Sequence, residues 1–167
     1  MRPAQERAGW LHVAGQRLEY RFVGPPPEAA PTLVFLHEGL GCVALWRDFP
    51  DALVAATGCG ALVYSRQGYG ASDPVALPRP LRYMHEEAEV LGTVLDQVAV
   101  REAILIGHSD GASIALIYAG SPPARCVRAL VVEAPHLFCE EISVGSIAAA
   151  AVAFEQADAA TAAATGG

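Results

Sequence analysis

The chain is short of charge. Of 167 residues only 11 are Lys or Arg and 18 are Asp or Glu, which makes 17% charged and a formal net charge of −7. No basic stripe runs along any segment, which argues against a nucleic-acid partner, and the acidic balance bears mainly on solubility. The four cysteines, Cys42, Cys59, Cys126 and Cys139, lie far apart with no CxxC pair. That spacing gives no support to a zinc site or a redox motif, so no metal is expected. Reduced thiols in a cytoplasmic protein are the expectation. No apolar stretch follows the charges of MRPAQERAGW (1–10), so a signal peptide is not expected. The longest mostly apolar window, ISVGSIAAAAVAF (142–154), is too short and too alanine-rich for a membrane span. What fills the space left by charge is apolar: 53% of residues are hydrophobic. That excludes a disordered chain, and the length suits one domain with a sizeable core.

The first part of the chain reads as β-structure. WLHVAG (10–15) and QRLEYRFVG (16–24) meet near Gly15 as a hairpin would. In the second, Leu18, Tyr20 and Phe22 alternate with Arg17, Glu19 and Arg21, the period of a half-buried strand. The proline-rich GPPPEAAP (24–31) then ends the pattern. After it come four unbroken apolar runs: TLVFL (32–36), ALVY (61–64), AILI (103–106) and ALVV (129–132). Runs without alternation fit strands buried on both faces of a parallel sheet. Between them, Leu81, Met84, Ala88, Leu91, Val94, Leu95 and Val98 form one apolar stripe at helical period, predicting an amphipathic helix over 81–98. A second helix is predicted over 109–119, stopped by Gly120, Pro122 and Pro123. A third is predicted in the alanine-rich 148–167, fraying at its Thr-Gly-Gly end. Strands alternating with helices give an α/β fold with a mostly parallel sheet behind an N-terminal antiparallel hairpin.

Chemistry concentrates in AILIGHSDGAS (103–113), which contains G-x-S-x-G as Gly107, His108, Ser109, Asp110 and Gly111. A buried-strand run ends at the first glycine and a small-residue helix begins after the serine. That strand–turn–helix setting is what a nucleophile elbow needs: a tight, strained turn that presents the serine oxygen at the edge of the sheet. The plainer alternative is a glycine-flanked serine capping a helix.

Two more motifs join the elbow in order: LHEGLGCVALW (36–46) and SRQGYGASD (65–73). With all three, residues from about Trp10 to Phe138 resemble the N-terminal half of the α/β-hydrolase superfamily, especially its esterase, epoxide-hydrolase, haloperoxidase and C–C-hydrolase-like members. The resemblance implies an α/β-hydrolase fold and acyl or ester hydrolysis on a small organic substrate, with Ser109 as nucleophile and no cofactor. It implies an oxyanion hole from the backbone N–H groups of Asp110 and of Gly39, with Glu38 as the neighbouring alternative for the second donor. Two positions depart from the pattern. Glu38 stands where glycine is usual and could hang a carboxylate over the site. Ser65 stands where aspartate is usual.

A serine needs a base, and the family's order is Ser, then Asp or Glu, then His. Of the five histidines only His136 follows Ser109. His37 is expected to order the oxyanion loop, His108 to pack or tune the elbow, His85 to be solvated, and His12 to lie remote. His136, just past a strand end, is expected to line the pocket or cap the lid connection, with service as a surrogate base the alternative. Glu133 is the candidate acid, because some relatives, notably haloalkane-dehalogenase-like ones, place it after this strand. The expected division is residues 1–138 as the N-terminal part of a hydrolase core and 139–167 as the start of a helical lid, truncated before the last strands. On this reading the chain lacks the segment that supplies acid and histidine and is inactive alone. An exposed sheet edge would then invite self-association. The alternative is a non-catalytic small-molecule binding or interaction module on the same fold.

Overall fold

The computed structural model describes residues 7–122, 124 and 126–165. Pro123, Gly166 and Gly167, invoked above as helix-ending residues, lie outside the described residues, as does most of the segment read for a signal peptide. Strand β1 (Arg7–Val13) pairs antiparallel with β2 (Gln16–Val23), closing at Val13 opposite Gln16. Ala14 and Gly15 make the two-residue turn with φ of 50° and 81°. Two positive φ values suit the right-handed twist of the strands.

β3 (Thr32–Leu36), β4 (Gly60–Tyr64), β5 (Ala103–His108) and β6 (Val127–Glu133) complete a six-stranded sheet in the order β1-β2-β4-β3-β5-β6. The β2–β4 pair is antiparallel and the others beyond it are parallel. β3 and β4 are buried at every residue. Alternate side chains of β3 serve two cores. Val34 and Leu36 join Leu62, Leu91, Leu95, Leu105 and Ile114. Leu33 and Phe35 join Val23, Ala61, Val63 and Val54. An unbroken apolar run is what a strand covered on both faces requires.

Helix α2 (Tyr83–Gln97) buries Ala88, Leu91, Val94 and Leu95, the stripe read from the sequence. Leu81 is a correction: it precedes the helix and is exposed. The third helix, α3, spans Asp110–Gly120. A short helix, α1 (Phe49–Thr57), was not expected. It buries only Pro50 and Val54, too few residues for a periodic stripe, and its signal was the proline near its start and Gly58 beyond its end, where φ is 72°. A 3₁₀ turn at Val43–Trp46 precedes it, and Trp46 and Phe49 both meet Phe35 edge-on.

β6 is the second correction. Its run of apolar residues predicts burial on both faces, yet Val131 is 55% exposed and Val132 is also exposed. Among the described residues β6 is the edge strand, bonded to β5 alone.

The chain divides into two compact units between His136 and Leu137. The second holds α4 (Glu141–Thr165), which begins seven residues before the expected alanine-rich segment. Its alanines favour the helix enough to carry Gly145 within it.

Candidate active site

β5 ends at His108 and α3 begins at Asp110, which leaves Ser109 alone to reverse the chain. Its φ of 52° and ψ of −115° lie where L side chains rarely go, at a cost of about 1–3 kcal/mol. Two glycines make the turn possible. A Cβ on Gly107 would fall 2.5 Å from the Gly111 carbonyl oxygen, and one on Gly111 would overlap the Leu36 carbonyl and come within 2.7 Å of that of His37. The ends of β3 and β5 and the first turn of α3 therefore converge only because both side chains are missing. Ser109 N–H donates to the Glu133 carbonyl at 2.8 Å, tying the turn to the end of β6.

His37 is 2% exposed. Its Nδ1 donates to the Glu38 carbonyl at 2.7 Å, and its Nε2 accepts the Arg66 N–H at 3.0 Å. One ring nitrogen thereby serves the loop after β3 and the other the loop after β4. Burial first, then the Arg66 guanidinium, lowers its pKa from the ordinary 6.5 to about 3, so the ring is neutral. Arg66, itself buried, also donates to the His37 carbonyl at 2.6 Å and the Glu38 carbonyl at 3.1 Å. The Glu38 carboxylate accepts the Leu40 N–H, so it caps its own loop.

Asp110 is the first residue of α3, and its N–H is one of those a helix leaves without an intrahelical acceptor. Gly39 lies beside it: a Cβ there would be 3.1 Å from Asp110 Oδ2. The two residues expected to hold an oxyanion are neighbours. The Asp110 side chain, however, stays in the site. Oδ2 accepts the Tyr83 hydroxyl at 2.7 Å and lies 3.9 Å from Arg66 Nη2. Burial and the bond to this carboxylate push the Tyr83 pKa up, so the hydroxyl keeps its proton and donates. Arg66 and Tyr83 thus both engage Oδ2, the Asp110 oxygen nearest to Gly39.

His136 completes the site from the loop after β6, which turns at Ala134 with φ of 49°. Its Nε2 lies 3.1 Å from Ser109 Oγ and 3.3 Å from Asp110 Oδ1. Its backbone N–H donates to Ser113 Oγ at 2.8 Å, and that hydroxyl reaches back to the Ser109 carbonyl at 3.3 Å. Glu133, the candidate acid, stands at the end of β6. Its carbonyl holds Ser109, while its carboxylate is exposed and, among the described residues, makes no hydrogen bond or ion pair with Ser109 or His136.

A sequence model of the α/β hydrolase family matches residues 33–166. The chain belongs to the α/β-hydrolase family. It is 28% identical over 127 residues to epoxide hydrolase B of Mycobacterium tuberculosis, covering 75% of this chain and 35% of that protein. It is 31% identical over 111 residues to a proline iminopeptidase of Lactobacillus acidophilus, covering 66% of this chain and 37% of that one. The chain thus spans about a third of the length of these relatives. Among solved structures, an epoxide hydrolase from Vigna radiata superposes with a TM-score of 0.65 at 20% identity, over 76% of this chain and 39% of that one. That likeness shows the fold.

Several residues around the hydrolase elbow escaped the sequence reading. Tyr83 and Ser113 are ordinary helix residues by pattern, although Ser113 sits one turn after Ser109 on the same face of α3. Ser65, where the family pattern has aspartate, donates to Glu19 Oε2 at 2.7 Å and accepts the Val43 N–H at 2.9 Å. Glu19 also accepts the Ala71 N–H at 3.1 Å, so this loop receives a carboxylate from β2 instead. His85 and His12 are exposed, away from the elbow's bonds. No cluster of three metal-ligating side chains occurs among the described residues. No helix among them is long and apolar enough to cross a membrane.

Proposed function

We propose that this hydrolase cleaves acyl or ester bonds of a small organic substrate with Ser109 as nucleophile. The observation that carries the reading is the strained Ser109 turn, which holds Oγ 3.1 Å from an imidazole nitrogen beside the first N–H groups of α3. Strain of this kind persists where the surrounding structure over-determines it, and it gathers at active sites. Ser109 Oγ bonds to the acyl carbon as its proton leaves to a histidine. The carbonyl π pair moves onto oxygen, where the N–H groups of Asp110 and Gly39 receive it. One such donor is worth about 3–4 kcal/mol. The tetrahedral intermediate collapses, the leaving group takes the proton, and water repeats the sequence on the acyl-enzyme. The scheme uses no metal and no cofactor. The cysteines, all four unpaired, fit a reducing compartment such as the cytoplasm.

The test is covalent labelling by a fluorophosphonate, read by intact-protein mass spectrometry, on the chain and its Ser109→Ala variant. Excess imidazole is added so that an external base is always available, and circular dichroism checks the fold of both. One adduct on the chain and none on the variant supports the nucleophile. A folded chain that stays unlabelled leaves the non-catalytic binding module as the reading.

A further inference from the structure

The histidine that the elbow faces comes from an unexpected place. In the order Ser, acid, His the base arrives late in the chain, whereas His136 stands on the loop directly after β6, within the same compact unit as the elbow. The loop is built to hold it there. Ala134 takes a left-handed turn, and the next bonded point is the His136 backbone N–H on Ser113 Oγ, 2.8 Å away. Ser113 in turn is fixed by α3, one turn below Ser109. Serine and imidazole are thus both anchored to the first turn of one helix. Their separation of 3.1 Å is within reach of proton transfer.

We infer that His136 is the proton acceptor for Ser109 in this chain, with the Asp110 carboxylate stabilising the imidazolium. This rests on the reading of Ser109 as nucleophile. With the ring proton on Nδ1, Nε2 accepts the Ser109 O–H. As Oγ bonds to the acyl carbon, that proton moves to Nε2, and the new N–H faces Asp110 Oδ1 at 3.3 Å. The same proton then passes to the departing group, and the attacking water later returns one to His136 and, on deacylation, to Oγ. The geometry differs from a Ser-His-Asp triad in one respect. Asp110 meets the nitrogen that receives the proton and leaves Nδ1 alone, so it does not choose the tautomer. Its effect is purely on the charge that appears during the reaction. Tyr83 and Arg66 hold Asp110 Oδ2 and leave Oδ1 for the imidazole.

The experiment measures fluorophosphonate labelling rates without imidazole. We expect the chain to label at Ser109, and His136→Ala and His136→Gln to label slower by about a hundredfold or more, with unchanged circular dichroism. Excess imidazole should restore His136→Ala, because the vacated position is open to solvent, a recovery that a merely structural histidine would not show. Labelling of His136→Ala at the rate of the parent chain overturns the inference. So does a folded parent chain that labels only when imidazole is supplied, and in that case Ser109 keeps its role as nucleophile while His136 loses its own. Asp110→Asn should slow the parent chain and cost nothing further in His136→Ala. An equal loss in both backgrounds overturns the part assigned to Asp110.

Discussion

His37 and His136 reach the same edge of the sheet from the ends of two parallel strands, β3 and β6, and they meet opposite conditions there. His37 is 2% exposed, and both of its nitrogens are bonded to backbone. The His136 side chain is 42% exposed, and its Nε2 faces a hydroxyl and a carboxylate. The strands behind them differ in the same sense: β3 is buried at every residue, and β6 is largely exposed. An imidazole locked into a loop can order the backbone but cannot exchange a proton. One with a free face can exchange a proton, and it contributes less to stability. The contrast teaches that the histidine that matters structurally is the one unsuited to chemistry.

Substitutions at the two strands and their histidines should fall into four sizes of effect. The largest effect is expected at the strands. Phe35→Ala empties a site between Trp46 and Phe49 and should cost about 3–5 kcal/mol in urea denaturation, whereas Val131→Ala should stay within about 0.5 kcal/mol. Equal losses would erase the difference between the two strands. Next, His37→Ala leaves the Arg66 N–H buried without its acceptor, at about 1–3 kcal/mol. His136→Ala should leave stability nearly unchanged. Ser113→Ala removes one acceptor from the His136 N–H, for about 1 kcal/mol in the same denaturation assay and a slower Ser109 labelling rate. Smallest in stability is Val131→Lys on the open edge of β6. We propose that this edge lets the chain self-associate, and light scattering at rising concentration should show less association in the variant.

Acid sharpens the same contrast. The folded pKa of His37 is depressed from 6.5 to about 3, so the unfolded chain takes up the proton first. Its contribution is complete above about pH 6.5 and is lost as pH falls toward about 3. The urea midpoint of the chain should fall through that range more steeply than that of His37→Asn.

Much of the architecture was legible in the sequence. The four apolar runs became β3, β4, β5 and β6, and the stripe from Ala88 to Leu95 became the buried face of α2. The elbow was legible for a physical reason, since Gly107 and Gly111 stand where a Cβ would strike backbone. α1 was missed because two buried residues make no period. The exposure of Val131 was missed because an apolar run does not say whether its strand is central or an edge. In the site, motif order singled out Gly39 and Asp110 as the residues expected to hold an oxyanion, and the two are neighbours. The ion pair of Asp110 with Arg66 and the bond from Tyr83 were not legible, because they join residues 44 and 27 positions apart in sequence.

By itself the sequence determined the family, the serine and the strand–turn–helix that displays it, because these depend on local sterics and on hydrophobic period. Only the tertiary structure decided which histidine meets that serine. His136 lies 27 positions further along the chain, and it is brought to 3.1 Å by the pairing of β5 with β6, the turn at Ala134 and one hydroxyl on α3. Long-range register of that kind is a property of the packed sheet, and no stretch of residues read alone contains it.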